Sequence, residues 1–525
     1  MLDMRLPRSG VVSDRPASAA PFRKFYAARG GLYIGSALEP RPLSPSVALQ
    51  SPESASARGF DDPMNDDRWR FATVAEVAAG LRDGTVTSVG LTETTLARIA
   101  SLNGVLNAYV TVTADNALEQ ASRADAELAG GHDRGPLHGV PMSIKDLIAT
   151  AGTLTTGGSR IYEDWVPTEN ASVVDRLAEA GAVLLGKTGL HELAFGSTSV
   201  NPFFGAIANP WKLDHHPGGS SGGSAVSVAA GLAFASIGTD TGCSVRQPAQ
   251  CCSIVGHKPT FGLVSKSGVI PLVPSMDHVG PLTRSVADAA TVLQAIAGAD
   301  ASDPHCVARP VPDFAAKLDE SIEGLAIGVP RHFFYEDGDD EVCEIVRSSL
   351  DVFEYLGADL VDTAVPDIEE AYRAGDVTFV EIVESHGEAM RKTPELFSEP
   401  FKERYEQVAR STADDYAEAQ RFRQRFRATI AEIMTRCDIL AVPTSTVAAA
   451  PIAEQPPSHA VERRKNASIF NFTGQPAISV PCGFTRAGLP VGLMLVGRLF
   501  EDATVFQFAA AFERATVWHE RHPRL

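Results

Sequence analysis

Residues 217–225 read Pro217-Gly218-Gly219-Ser220-Ser221-Gly222-Gly223-Ser224-Ala225. By composition alone this is a flexible linker, but its neighbours argue otherwise. The text from Val226 to Ala235 is a small-residue, apolar helix pattern, and Ser236-Ile237-Gly238-Thr239-Asp240-Thr241-Gly242-Cys243-Ser244-Val245-Arg246 reads as strand, turn and helix start. A linker has no place between core elements. A phosphate loop is disfavoured too, because no Gly-Lys-Ser/Thr follows the glycines and the spacing does not fit G-x-G-x-x-G. What the segment does supply is bare backbone, since glycine lets peptide N–H groups approach a reacting atom. Serines among the glycines are candidate nucleophiles. Ser244, between Gly242 and the helix-like Val245–Ile254, would also gain the N–H groups at a helix start, which suit an oxyanion. It is equally suited to capping that helix, and the local text leaves nucleophile and cap even.

Working outward, Val74, Val77, Ala78 and Leu81 are spaced for one helix face, and a second helix opens at Ser88. Short apolar runs then alternate with helical patterns: Val140–Ile144, Val173–Ala180 followed by Val183–Leu185, Ala233–Ile237, Leu325–Val329, Ile439–Val442, Ile478–Val480 and Leu493–Val496. Strands alternating with helices predict an α/β layered domain. Residues 330–437 read as mainly helical and charged, a layer or insertion covering the sheet, with Phe422, Phe426, Ile430 and Ile433 at helix spacing. Residues 1–63 differ from the rest, with 8 Pro, 9 Ser and a charge of 8 basic minus 6 acidic residues. We expect residues 1–66 to be a flexible tail; Asp3, Asp14, Glu39 and Glu53 count against an organelle transit peptide. Met64 stands just before the first periodic segment and is an alternative start.

The 525 residues carry 46 Lys and Arg against 65 Asp and Glu, a formal charge of −19, which works against a general phosphate-binding role. Seven scattered Cys with no C-x-x-C pair read as reduced thiols in a cytoplasmic protein. The longest apolar stretch, Gly222 to Gly238, is broken by Ser224, Ser227 and Ser236 and makes a poor membrane span. His215-His216 has no third ligand at a regular spacing and is expected to be loop rather than metal site.

Three separated motifs decide between the readings left open at Ser244. Gly-Gly-Ser-Ser-Gly-Gly-Ser-Ala at 218–225, Gly-Thr-Asp-Thr-Gly-Cys-Ser-Val-Arg at 238–246 and Gly-Val-Pro-Met-Ser-Ile-Lys-Asp at 139–146 together resemble the amidase signature family. Flanking text is similar as well, including His191-Glu192, Asn209-Pro210-Trp211 and Asp277-His278-Val279-Gly280-Pro281. The resemblance runs from about residue 70 to the C-terminus. It implies one large three-layer α/β/α domain over 67–525, with a mixed central sheet covered by helices and a divergent substrate-pocket region at 330–437. Carried over residue by residue, it implies a Ser–Ser–Lys triad. Ser244 is then the nucleophile, Ser220, preceded by a cis peptide, the bridging serine, and Lys145 the base. The backbone N–H groups of Thr241, Gly242, Cys243 and Ser244 form the oxyanion hole, and Thr239, Asp240 and Arg246 hold the loop. No metal or organic cofactor is needed.

Lys145 can be weighed independently. A solvated lysine titrates near 10.4 and is no base at neutral pH, but burial lowers it by up to several units. By exposure alone a strand-end lysine belongs in water; the two serines reverse that expectation. Cys243 departs from the family, which usually has a second Gly there. If the position needs a positive φ, Cys is strained; otherwise its thiol narrows the acyl pocket. A nucleophilic role for Cys243 is disfavoured, since no activating cation or His is indicated.

The leading expectation is a stand-alone hydrolase of an amide, anilide or carbamate, working through a Ser244 acyl-enzyme on a small-molecule substrate with no nucleic acid or membrane partner, a homodimer being left open. The alternative is the glutamine amidase subunit of a tRNA-dependent amidotransferase. No recognisable glutamine-binding Arg segment stands in the middle region, and Cys243 and the tail also point away from that alternative.

Overall fold

The computed structural model describes residues 67–454 and 463–525; the expected tail at 1–66 and the alternative start at Met64 lie outside the described residues. The strands are β1 (Tyr109–Val112), β2 (Pro141–Lys145), β3 (Val183–Thr188), β4 (Val200–Asn201), β5 (Gly205–Ala206), β6 (Ala235–Asp240), β7 (Val255–Lys258), β8 (His278–Thr283), β9 (Ala326–Val329), β10 (Asp359–Asp362), β11 (Ile439–Pro443), β12 (Ala477–Phe484) and β13 (Pro490–Val496). Eleven of them form one sheet in the order β1-β3-β2-β6-β8-β7-β12-β13-β11-β9-β10. The sheet is mixed: β2 runs parallel to both β3 and β6, β9 to both β10 and β11, while the central strands pair antiparallel. This is the α/β class expected.

Every residue of β2, β3, β6 and β13 is buried, because helices cover the sheet. Strands buried on both faces carry no polar–apolar alternation, which is why they read as short apolar runs. Helices Val74–Asp83 and Ser88–Leu106 form where the periodicity places them. Thr73 caps the first with its side chain on the Glu76 N–H, and Thr87, one residue before the expected start, caps the second on the Gly90 N–H. The 330–437 region is helical, with helices Asp340–Tyr355, Ile368–Thr378, Ile382–Lys392, Glu399–Val408 and Ala413–Ile433, but it also holds edge strand β10.

The apolar text after the Gly/Ser segment divides differently from its pattern. The helix spans Gly222–Ala229 and stops at Gly231, whose φ of 69° takes the chain out of the helical region. Residues 235–240 then belong to β6. Likewise the helix expected from Val245 to Ile254 is Arg246–Cys252. No helix among the described residues is long and apolar enough to cross a membrane. All seven cysteines are free thiols.

Candidate active site

β2 and β6 are parallel neighbours, with Ile144 opposite Ile237, so their carboxyl ends open at the same edge, where ligands of α/β sheets collect. Lys145 ends β2, and the loop after β6 carries Thr241 to Ser244. The Gly/Ser segment is threaded against both. Gly218 has a φ of 82°, and a side chain there would meet Pro248 Cα at 2.8 Å; at Gly219 one would meet the Thr198 nitrogen at 2.6 Å. Only glycine fits the passage, and it delivers Ser220 to the end of β2. The Gly219–Ser220 peptide is cis, as expected.

Lys145 is fully buried. Its Nζ donates to Ser220 Oγ at 2.8 Å and to Thr239 Oγ1 at 2.8 Å. Burial lowers the ammonium from 10.5 to about 7, against an opposing pull from Asp240 and Asp277. A lysine at that value is substantially neutral at physiological pH and can accept a proton. Thr239, expected only to support the loop, is therefore a direct partner of the lysine.

Ser244 is buried, and among the described residues its Oγ makes no hydrogen bond. The capping alternative fails here, since Asp240 does that work: its Oδ2 accepts from the Val245 and Arg246 N–H groups at 3.0 and 3.3 Å. The same carboxylate takes the Arg246 Nε and Nη2 at 3.0 and 2.9 Å. Burial alone would raise the Asp240 carboxyl, but the Arg246 guanidinium and the Val245 N–H outweigh it and hold it well below 3.8. Asn471 joins this group from helix Lys465–Thr473, donating to Asp240 Oδ1 at 2.9 Å and accepting from Arg246 Nη2 at 2.6 Å. Ser220 and Ser244 lie in adjacent segments, the Ser221 N–H donating to the Ser244 carbonyl at 3.3 Å. No hydrogen bond joins their hydroxyls. Catalytic hydrogen bonds of unliganded sites commonly tighten only around a substrate.

Cys243 does not adopt a positive φ, so the strain considered for it is absent and an L side chain is accommodated. Its thiol lies 3.8 Å from the Gly219 carbonyl, and burial, with the charge of Asp240, raises it to about 12. A protonated thiol is a poor nucleophile. Two supports escaped the reading of the sequence. Asp277 Oδ1 accepts from Thr241 Oγ1 at 2.6 Å, and its carboxylate also takes the Leu272 and Val273 N–H groups; Asn471 is the other. Asp277 stood in a flanking motif, whereas Asn471 had no local signal. A cavity of about 200 Å³, reached by Ala194, Thr239, Thr241, Ile270 and Leu272, adjoins the loop. A side chain at Gly242 would meet Phe379 and Ser468 at 3.8 Å, so the 330–437 region does border the site. His215 is paired with Asp214, and no cluster able to hold a metal is found among the described residues.

A family model named Amidase matches residues 90–506. The chain belongs to the amidase signature family. At that level it is an amidase-family C–N hydrolase. A glutamyl-tRNA(Gln) amidotransferase subunit from Roseiflexus sp. (strain RS-1) is 39% identical over 480 residues, 86% of this chain and 98% of the relative. Among solved amidase signature structures, the peptide amidase PAM bound to the competitive inhibitor chymostatin has a TM-score of 0.77 at 32% identity, over 86% of this chain and 99% of that one. A structure described as an unexpected vestigial protein complex, revealing the evolutionary origins of an s-triazine catabolic enzyme, has a TM-score of 0.80 at 30% identity, over 84% and 98%.

Proposed function

We propose that this amidase cleaves a carboxamide through an acyl-enzyme on Ser244. The observation that carries the proposal is the buried Lys145, lowered to about 7 and hydrogen-bonded to Ser220 at 2.8 Å. In its neutral form Lys145 takes the Ser220 proton, Ser220 takes that of Ser244, and the Ser244 oxygen attacks the acyl carbon. The N–H groups of Thr241, Gly242, Cys243 and Ser244 receive the oxyanion, while Asp240, Arg246 and Thr239 hold the loop. The leaving amine is protonated back through Ser220, and water releases the acid.

For the substrate, the relatives favour the alternative over the stand-alone hydrolase that led our reading of the sequence. The chain spans 98% of a protein named as an amidotransferase subunit, with 39% identity. On that reading Ser244 releases ammonia from glutamine, and the partners are a tRNA and a further subunit, in place of the expected small molecule alone. Cys243 in the oxyanion loop supports the second reading, a free-standing hydrolase of amides, anilides or carbamates, because its side chain stands where the family usually has none.

One experiment tests both. Mass-spectrometric mapping of a serine-reactive phosphonate should place the label on Ser244. Ammonia release from glutamine should then be measured alone, with candidate partner subunits, and with tRNA, beside a panel of primary amides, anilides and carbamates. Stimulation by partner and tRNA supports the amidotransferase role; cleavage of the panel without glutamine turnover supports the free-standing enzyme; a label on Cys243 overturns the Ser244 mechanism.

A further inference from the structure

The cavity beside the oxyanion loop has an apolar wall and, at one side, two buried polar atoms with no hydrogen-bond partner, Lys266 Nζ and His278 Nε2. Both residues line it. The Lys266 side chain is 10% exposed and His278 3% exposed. They share one platform: Lys266 Nζ lies 4.5 Å from the centroid of the Phe261 ring, and the His278 ring packs edge-on to the same ring at 5.3 Å. Asp303 anchors the lysine as an ion pair, with Oδ2 accepting the Lys266 backbone N–H at 2.9 Å and lying 3.7 Å from Nζ, beyond hydrogen-bond reach. Each atom thus has hydrogen-bonding capacity that the protein leaves unused, and each is a specific demand on whatever fills the space.

The demands are opposite in sign. Lys266 Nζ is a donor whether or not it is protonated, having no free acceptor role toward a ligand while charged. His278 Nδ1 lies 2.6 Å from the Met276 carbonyl and 3.3 Å from that of Asp240. Asn471 Nδ2 also faces Nδ1, at 3.4 Å, but the Met276 carbonyl is much closer and only accepts, so Nδ1 carries the proton. Burial, together with the charge of Lys258, keeps the ring neutral, which leaves Nε2 with a lone pair and no hydrogen. The pair therefore asks for a group offering an acceptor to Lys266 and a donor to His278. A carboxylate alone or an alkyl chain satisfies at most one of them.

We propose that this cavity is a specificity subsite for amides whose far end presents an acceptor and an N–H donor side by side, received by Lys266 and His278. A terminal carboxamide or ureido group has that pair, and so has the head of an α-amino acid, with a carboxylate oxygen and an amine N–H. The stem between that end and the reacting carbonyl runs past Thr241, Ile270 and Leu272, which line the same cavity. The subsite rests on the acyl-enzyme reading of Ser244 and names the substrate class for it.

The test measures binding apart from catalysis. In the full-length Ser244→Ala protein, ligand-observed NMR titrations compare pentanamide, glutaramide and glutamine, which place an alkyl end, a carboxamide and an amino acid head in the cavity. Glutaramide, glutamine or both should bind at least tenfold more tightly than pentanamide, and the tighter of the two identifies the head. Adding Lys266→Met, and separately His278→Phe, should bring the preferred ligand to within threefold of pentanamide. Equal binding of all three, or a preference that survives both substitutions, overturns the subsite. Phosphonate labelling of the unsubstituted protein reports on Ser244 separately, so a failed acyl-enzyme and a failed subsite give different results.

Discussion

The base is the point at which the site can be tested most severely. A lysine that titrates at about 7 instead of 10.5 has lost about 5 kcal/mol of ammonium stabilisation relative to water, at 1.36 kcal/mol for each factor of ten. At that value about a tenth of the Lys145 side chains are neutral at pH 6, half at pH 7 and about nine-tenths at pH 8. If neutral Lys145 initiates proton removal from Ser244 through Ser220, the second-order rate of phosphonate inactivation should climb roughly tenfold between pH 6 and pH 8 and then level off. This assay needs no knowledge of the natural substrate. Lys145→Arg preserves charge and donors but never deprotonates at these pH values, so it should lower the rate by about a thousandfold, or ~4 kcal/mol, at every pH. A rate that is flat from pH 6 to 9, one that keeps climbing to pH 10, or an Arg variant retaining more than about a tenth of the rate would each refute the assignment.

Other substitutions probe the parts around the base. Ser244→Ala should abolish both labelling and turnover while leaving the melting temperature close to that of the unsubstituted protein; near-normal turnover would sink the nucleophile. Asp240→Asn removes the carboxylate from a fully buried pair with Arg246 and should cost about 3–5 kcal/mol of stability in a denaturant titration. Because the Asp240 carboxyl is held below 3.8 when folded, its contribution is present above that value and is lost as the pH falls through its folded value, so the unsubstituted protein and the Asn variant should converge in stability at acid pH. Asp277→Asn weakens the anchor on Thr241 Oγ1 and should lower kcat about tenfold with little change in KM, whereas a purely structural role would lower the melting temperature and leave kcat intact. Cys243→Gly should change the ranking of acyl groups in a substrate panel and leave phosphonate labelling on Ser244, which complete loss of labelling would contradict.

The legibility of the fold varied with where each element gets its energy. β11 and β13 are continuous apolar runs, β2 and β3 are mainly apolar, and all four could be located to within a few residues. β7 and β8 could not: Val255-Gly256-His257-Lys258 and His278-Val279-Gly280-Pro281-Leu282-Thr283 hold residues that ordinarily weaken strands. They are strands because both are buried between paired neighbours, an effect of tertiary packing that no local preference reports. The helix over 222–229 ends early because of one glycine with a positive φ.

The sequence by itself determined the chemistry on offer. Lys145, Ser220, Ser244, the loop 241–244 and its supports Asp240 and Arg246 stand in three short motifs, and the family resemblance those motifs carry together, which residue type at any one position does not, names them as candidates. Only the tertiary structure decided what those atoms can do. Burial at the end of β2, between Ser220 and Thr239, lowers Lys145 from 10.5 to about 7, the property the proposed base requires. Asp240, by accepting the N–H groups at the head of helix Arg246–Cys252, leaves Ser244 free of a capping role. Asp277 and His278, adjacent in the chain and close to Lys266, meet Asn471, which lies 193 residues beyond His278. Desolvation and long-range hydrogen bonding are properties of that assembled neighbourhood, and neither is written at any one position.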